Sequence, residues 1–320
     1  MARRVLSRII LLCLCLTLVG VFLLAVYPLR DVACLCRQDT GAGLPGDQVV
    51  VPPSGHKTNT SAHTTDIQSS GSHSLAIIVP LRDRFEELME FVSHMKQFLS
   101  AQNIKYTIYA MNQIDSYRFN RASLINAGFL ESRTACDYIA MHDVDLLPLN
   151  PDLSYAYPEE GPFHIAAPSL HPLYHYKTFV GGILLISRKQ FELLNGMSNR
   201  YWGWGREDDE FYVRMKKKGI KIRRPMNITT GYKTFHHVHD RQRRPRDQKR
   251  YFDQIEKTRR LDRETGASTV KYQVVSQRLL TVDGAPVTVL NIRLECDLDL
   301  TPWCLNPEDQ PAYLKMKKKS

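Results

Sequence analysis

The chain has 320 residues, a formal net charge of +10 and a hydrophobic share of 43%. These values exclude a chain too polar to bury a core, and the length allows one large domain with appendages or two modest ones. No solenoid-type repeat is present, and neither G-x-x-x-x-G-K-[ST] nor G-x-G-x-x-G occurs, so repeat, P-loop and dinucleotide-binding folds are disfavoured and no nucleic-acid partner is expected.

In chain order, Arg3, Arg4 and Arg8 precede an uncharged run from Ile9 to Tyr27. At about 1.5 Å per residue such a helix can cross the hydrocarbon core, and the preceding arginines keep the N-terminus cytosolic. The competing reading, a cleaved signal peptide, calls for an apolar region of only about 7–15 residues. The expected organisation is a cytosolic tail (1–8), a membrane anchor (9–27), a stem (28–73), a catalytic α/β domain (74–305) and a basic C-terminal tail (306–320). The stem is rich in Gly, Pro, Ser and Thr and nearly free of aromatic residues, so it cannot bury enough apolar surface to fold. Asn59 and Asn227 open glycosylation sequons, usable only in the lumen. Of seven cysteines, Cys296 and Cys304 form the best disulfide pair in an oxidising compartment, and Cys136 reads as a buried thiol.

Residues 74–80 form a short β-branched apolar run, expected as a buried strand. A helix follows, capped by Asp83, with Phe85, Leu88, Val92, Met95 and Leu99 at helical spacing. Residues 105–111 read as a strand, and 119–132 as a helix with Leu124, Ile125, Phe129 and Leu130 inward. A strand running out into Asp143 and Asp145, another over 180–187 and a short helix closed by Gly196 come next. This alternation argues an α/β sheet with helices on both faces, whose ligands bind beyond the carboxyl ends of the strands, at 80–84, 112–121 and 143–145. The segments 269–275 and 287–295 read as strands appended to the same domain.

Four constellations carry chemistry. Asp143 and Asp145 bracket Val144, and alternation sends both to one side, where a divalent ion on a diphosphate would offset their repulsion. His237 and His239 share a face of an extended segment while His236 points away. With Asp145 they offer one carboxylate and two imidazoles, a set that suits Mn²⁺ and also zinc. Arg82, Arg84 and Arg121 sit on strand-to-helix turns and can grip phosphate bidentately, with Phe119 as a face for a base. In "YWGWGREDDEFYVR", 201–214, the acids Glu207, Asp208, Asp209 and Glu210 fill the first turn of a helix from about Arg206 to Lys218 that ends at Gly219. The helix N-terminus is expected to keep Asp208 ionised. Trp204 beside a carboxylate is a surface for a sugar ring.

The order P-x-R-x-R, F-N-R, D-V-D, G-G, W-G-W-G-x-E-D-D, H-x-H resembles the β1,4-galactosyltransferase family over about residues 74–305. The blocks "HPLYHYKTF", "WGWGREDDEFY", "ITTGYKTF" and "TPWC" are most similar to the branch that adds galactose to xylosylated proteoglycan core proteins. That resemblance implies a GT-A type nucleotide-sugar fold, UDP-galactose as donor, Mn²⁺ and inversion at the anomeric carbon. It also implies residence in the Golgi membrane with a lumenal catalytic domain. By motif match, Asp145, His237 and His239 would hold the metal. Pro80, Arg82, Arg84, Phe119, Arg121, Val144 and Asp145 would line the UDP site. Tyr174, Gly182, Trp204, Glu207, Asp208 and Asp209 would surround the sugars, with Asp208 as general base. Better-known members use a methionine and a histidine three apart for the metal, and Phe179 stands where related sequences carry tyrosine. The alternatives are transfer to N-acetylglucosamine, a non-catalytic sugar-binding protein, and a glycosidase that would leave the arginines without a use.

Overall fold

The computed structural model describes residues 73–318. The proposed anchor, the stem and the Asn59 sequon lie outside the described residues. A seven-stranded mixed sheet forms the frame. Its first strand, β1 (Ser74–Leu81), pairs in parallel with β2 (Lys105–Gln113) on one side and β3 (Tyr138–His142) on the other. On the far side of β3, β6 (Ile183–Ser187) runs antiparallel, with β5 (Phe163–His164) at that edge. Next to β2 lies β9 (Ala285–Leu294), parallel to it, and its hairpin partner β8 (Tyr272–Val282) forms the opposite edge. The two C-terminal strands therefore extend the same sheet, as the sequence suggests.

Strand periodicity explains the two-sided core. Along β1, Leu75, Ile77, Val79 and Leu81 enter one apolar cluster, while Ala76 and Ile78 enter the other. A strand buried on both faces reads as a continuous apolar run, as β1 does. Helix α1 (Phe85–Ser100) covers the first face through Leu88, Phe91, Val92, Met95 and Leu99. Helix α2 (Arg121–Ser132) covers the second with Leu124, Ile125 and Phe129, while Leu130 is half-buried against the same cluster. Two expectations at the start of α1 fail. Asp83 does not cap it: its backbone turns through φ 53°, and the helix opens at Arg84 with no side-chain cap. Phe85 is 55% exposed, because its position in the first turn lies beyond the edge of the sheet-facing stripe marked by the buried residues.

Short helix α3 (Arg188–Leu193) follows β6 and is capped by the Ser187 hydroxyl, which accepts from Gln190 N. Helix α4 (Glu207–Lys217) buries Phe211 and Met215 and ends before Gly219. A second, two-stranded sheet joins β4 (Leu146–Pro148) to β7 (Phe235–His237) in antiparallel register. Helix α5 (Gln254–Arg259) follows, and α6 (Gln310–Lys317) lies in the basic C-terminal stretch, anchored by buried Tyr313, whose hydroxyl donates to Leu298 O. Cys296 and Cys304 are disulfide-bonded and Cys136 is a buried free thiol, as the sequence reading expects. Asn227 is exposed.

Candidate active site

The carboxyl ends of β1, β2 and β3 and the start of antiparallel β6 open on one cavity of about 570 Å³. That volume falls in the usual range for a small-molecule site. Every residue expected at the metal, nucleotide and sugar positions lines it.

The D-V-D and H-V-H motifs, more than ninety residues apart, meet through the β4–β7 ribbon. Leu146 stands opposite His237, and Val238 N donates to Asp145 O at 3.0 Å. Asp145 Oδ2 lies 3.0 Å from His239 Nδ1 and accepts from Arg84 Nη1 at 2.9 Å. The His237 and His239 rings are 5.6 Å apart, and His236 faces solvent. Burial pushes Asp145 up, but the bond from His239 and the charge of Arg84 outweigh it and hold the carboxyl well below its usual range. Burial lowers His237, so its ring is neutral with a lone pair to offer. His239 Nε2 is buried without a partner. Among the described residues no three His, Cys, Asp or Glu side chains close round a common point. The residues fit a divalent ion by donor type and by these uncommitted atoms rather than as a finished cage.

The two aspartates do not act together. The strand β3 stops at His142, so 143–145 is a turn where alternation no longer applies. Asp143 pairs with Arg121 at 2.6 Å. Arg121 also lies 3.8 Å from Glu207 and so links the β3 end to the acidic helix turn. Arg82 lines the cavity but is mostly engaged by the protein's own backbone. Four of its five N–H groups go to Gln113 O, Tyr117 O, Asp115 O and Asp115 Oδ1, so it braces the turn after β2.

The first turn of α4, entered through Arg206 at φ 77°, lines the same cavity. The four acids separate by direction, as a 100° step requires. Glu210 turns inward and pairs with buried Arg214 at 2.9 Å. Arg214 in turn donates to Gly196 O, Asp262 O and Thr265 O, fastening α4 to two loops. Glu207 is buried beside Arg121, and burial raises its pKa. Asp208 faces the cavity against Gly181, where a Cβ would lie 2.7 Å from Asp208 Oδ2 and from the Phe179 ring. Only glycine permits that approach. Burial, then the charges of Glu207 and Asp209, push Asp208 up to about 8. Desolvation and the like charges of Glu207 and Asp209 thus act against the helix dipole that is expected to keep this carboxyl ionised. Neighbouring Gly182, at φ +73°, packs on Leu146, Ala166 and His171 instead of on the acids.

The two tryptophans part company. Trp202 is core, edge-on to Tyr117 at 5.8 Å. Trp204 is 39% exposed in the cavity, with the Arg246 guanidinium 4.7 Å over its ring and Tyr174 6.3 Å away. Its loop is held by Gly203 N donating to Phe119 O, Trp204 N to Asp247 O, and Arg250 Nη2 to Trp204 O. Beneath it, buried Arg118 bonds Asp247, Lys249 O, Gln254 and Trp303 O. A Cβ on Gly203 would collide with Arg118 Nη2 at 2.1 Å. Sequence reasoning missed Arg246, His171 and Tyr176. Arg246 is masked in a basic run, "RQRRPRDQKR", that reads as solvated surface, and its nearness to the H-V-H motif was the available signal.

Comparison with known proteins supports one family. A family profile described as the N-terminal region of glycosyl transferase group 7 matches residues 54–157, and one described as the N-terminal domain of galactosyltransferase matches 161–238. The chain is 61% identical over 242 residues to human beta-1,4-galactosyltransferase 7, covering 76% of this chain and 74% of the relative. It is 48% identical to the xylosylprotein 4-beta-galactosyltransferase of Caenorhabditis elegans, covering 72% and 82%. Among solved structures, the catalytic domain of Drosophila beta-1,4-galactosyltransferase 7 in complex with xylobiose superposes with a TM-score of 0.71 at 55% identity, covering 72% of this chain and 98% of that one. A mutant of the same enzyme, in complex with manganese, UDP-Gal and xylobiose, superposes at 0.72.

Proposed function

We propose, from the premise that this chain belongs to the β1,4-galactosyltransferase family, that it transfers galactose from UDP-galactose to the 4-hydroxyl of xylose on proteoglycan core proteins. The observation that carries this reading is the make-up of the cavity. Asp145, His237 and His239, with Arg84 bonded to Asp145, share the cavity with Asp208 and Arg246. The relatives' names and the xylobiose, UDP-Gal and manganese bound by the Drosophila enzyme support it. The fold is read as GT-A, and the enzyme as a type II Golgi membrane protein with its catalytic domain in the lumen.

Asp145, His237 and His239 would hold Mn²⁺, which supplies positive charge to the departing diphosphate. Pro80, Phe119 and Val144 line the nucleotide end, Arg84 and Arg246 face the phosphates, and Arg82 lines that end while bracing the turn after β2. Trp204, Tyr174, Glu207 and Asp209 position the sugars, so that binding is converted into orientation. Asp208 takes the proton of the acceptor hydroxyl as its oxygen bonds the anomeric carbon, the bond from that carbon to the phosphate oxygen breaks, and UDP leaves with inversion. A carboxylate of raised proton affinity is, once ionised, a stronger base than an ordinary aspartate. Incubation with radiolabelled UDP-galactose and a xyloside, with and without manganese, tests the reading. Label should enter the xyloside and be lost on chelation. Label entering only N-acetylglucosamine, or UDP-galactose bound without transfer, would overturn it.

A further inference from the structure

His171 lies in the cavity wall, only 3% exposed, and has no part in the mechanism above. Its Nδ1 accepts the backbone N–H of Leu173 at 3.0 Å and of Tyr174 at 3.1 Å. A ring nitrogen facing two N–H groups cannot carry a hydrogen of its own, so the proton of the neutral imidazole sits on Nε2. That nitrogen has no lone pair for a metal, although the ring is 6.4 Å from that of His237. The Nε2 edge runs along Gly182, where a Cβ would meet the adjoining Cδ2 at 3.5 Å. Phe179 stands edge-on at 5.0 Å and presents only carbon. Guanidinium groups for the anionic parts of a nucleotide sugar are already present in the cavity, from Arg84 and Arg246. A neutral N–H beside Gly182 and the bare Phe179 ring is matched to a neutral oxygen.

We propose that His171 is a substrate-binding residue whose Nε2–H donates to a hydroxyl of the transferred sugar, beside the bare ring of Phe179. The assignment rests on the nucleotide-sugar reading of the site. Two variants separate this contact from a structural role. His171→Asn keeps an oxygen where Nδ1 stands, able to accept from residues two and three positions on, and removes the Nε2 donor. His171→Ala removes both. Calorimetric titration of each with UDP-galactose, UDP and Mn²⁺ gives the answer. His171→Asn should weaken UDP-galactose about three- to tenfold, the usual size of one neutral hydrogen bond, with UDP and Mn²⁺ affinities and thermal midpoint held at those of the unaltered enzyme. His171→Ala should lower the midpoint as well. Unchanged UDP-galactose affinity in His171→Asn, an equal loss for UDP, or weakened Mn²⁺ binding would overturn the proposal. An unaltered enzyme that transfers nothing to a xyloside, yet prefers UDP-galactose to UDP by a margin that His171→Asn erases, would sink the functional reading and uphold the contact.

Discussion

Two carboxylates that line the same cavity, Asp145 and Asp208, are made of the same residue type and behave oppositely. Asp145 receives bonds from Arg84 and His239, and its proton affinity falls. Asp208 has Glu207 and Asp209 as neighbours, with Arg121 spread over Asp143 and Glu207, and its proton affinity rises to about 8. Motif spelling does not set the role of an aspartate. The balance of burial and charge that the fold delivers to it does: cations beside Asp145 outweigh its burial and keep it ready for a metal, and burial reinforced by neighbouring acids makes Asp208 a proton acceptor.

Substitution breaks the comparison most directly. Asp208→Asn should lower turnover by about 10²–10⁴-fold while UDP affinity stays close to wild type, measured by transfer kinetics and by titration with UDP. Near-normal turnover would assign the base elsewhere. In the ligand-free enzyme the same carboxyl should set the ascending limb of kcat/KM, with an apparent pKa near 8. A limb near 4 would mean that Asp208 is an ordinary aspartate. Gly181→Ala forces a methyl onto Asp208 Oδ2 and the Phe179 ring, and overpacking of this kind costs about 1–3 kcal/mol. Its turnover should fall more than its stability, as read by kcat beside the unfolding midpoint.

The gentlest test sets the two carboxylates against each other in stability alone. A carboxyl whose folded pKa is raised binds more protons folded than unfolded, so its contribution is full below about pH 4 and lost as pH rises through about 8. Asp208→Asn should therefore gain on wild type in thermal midpoint as pH rises over that window. Asp145, whose folded pKa is depressed, contributes above the unfolded value and loses that contribution in acid. Asp145→Asn should be less stable than wild type at neutral pH and draw level as pH falls. Parallel midpoint curves for the two variants would abolish the distinction.

Much of this arrangement is legible in the residues. The strand at 74–81, the paired imidazoles and the acidic helix turn follow from period-2 and period-3.6 patterns, and those patterns are local. What escapes is non-local. The ribbon that seats His237 opposite Leu146 joins segments about ninety residues apart, and no pattern in either announces the other. The spending of Arg82 on carbonyls, the inward turn of Trp202 and the placement of Arg246 over Trp204 likewise depend on backbone that arrives from elsewhere. The proton affinity of Asp208 is hidden for the same reason. The dipole of its own helix is visible in the sequence, but the burial supplied by Gly181 and Phe179 is not.

Buried Arg118, joined to Trp303 across 185 residues, bears on how the protein is made. The loop that carries Asp247 and steadies Trp204 is fastened through this guanidinium, and its lower attachment is synthesised long after the rest of the cavity. During translation the sheet around β1 to β3 can condense while that side of the pocket still lacks its clasp. A recombinant version cut before Trp303 is thus expected to leave the tryptophan loop open to proteases, even where its sheet is intact.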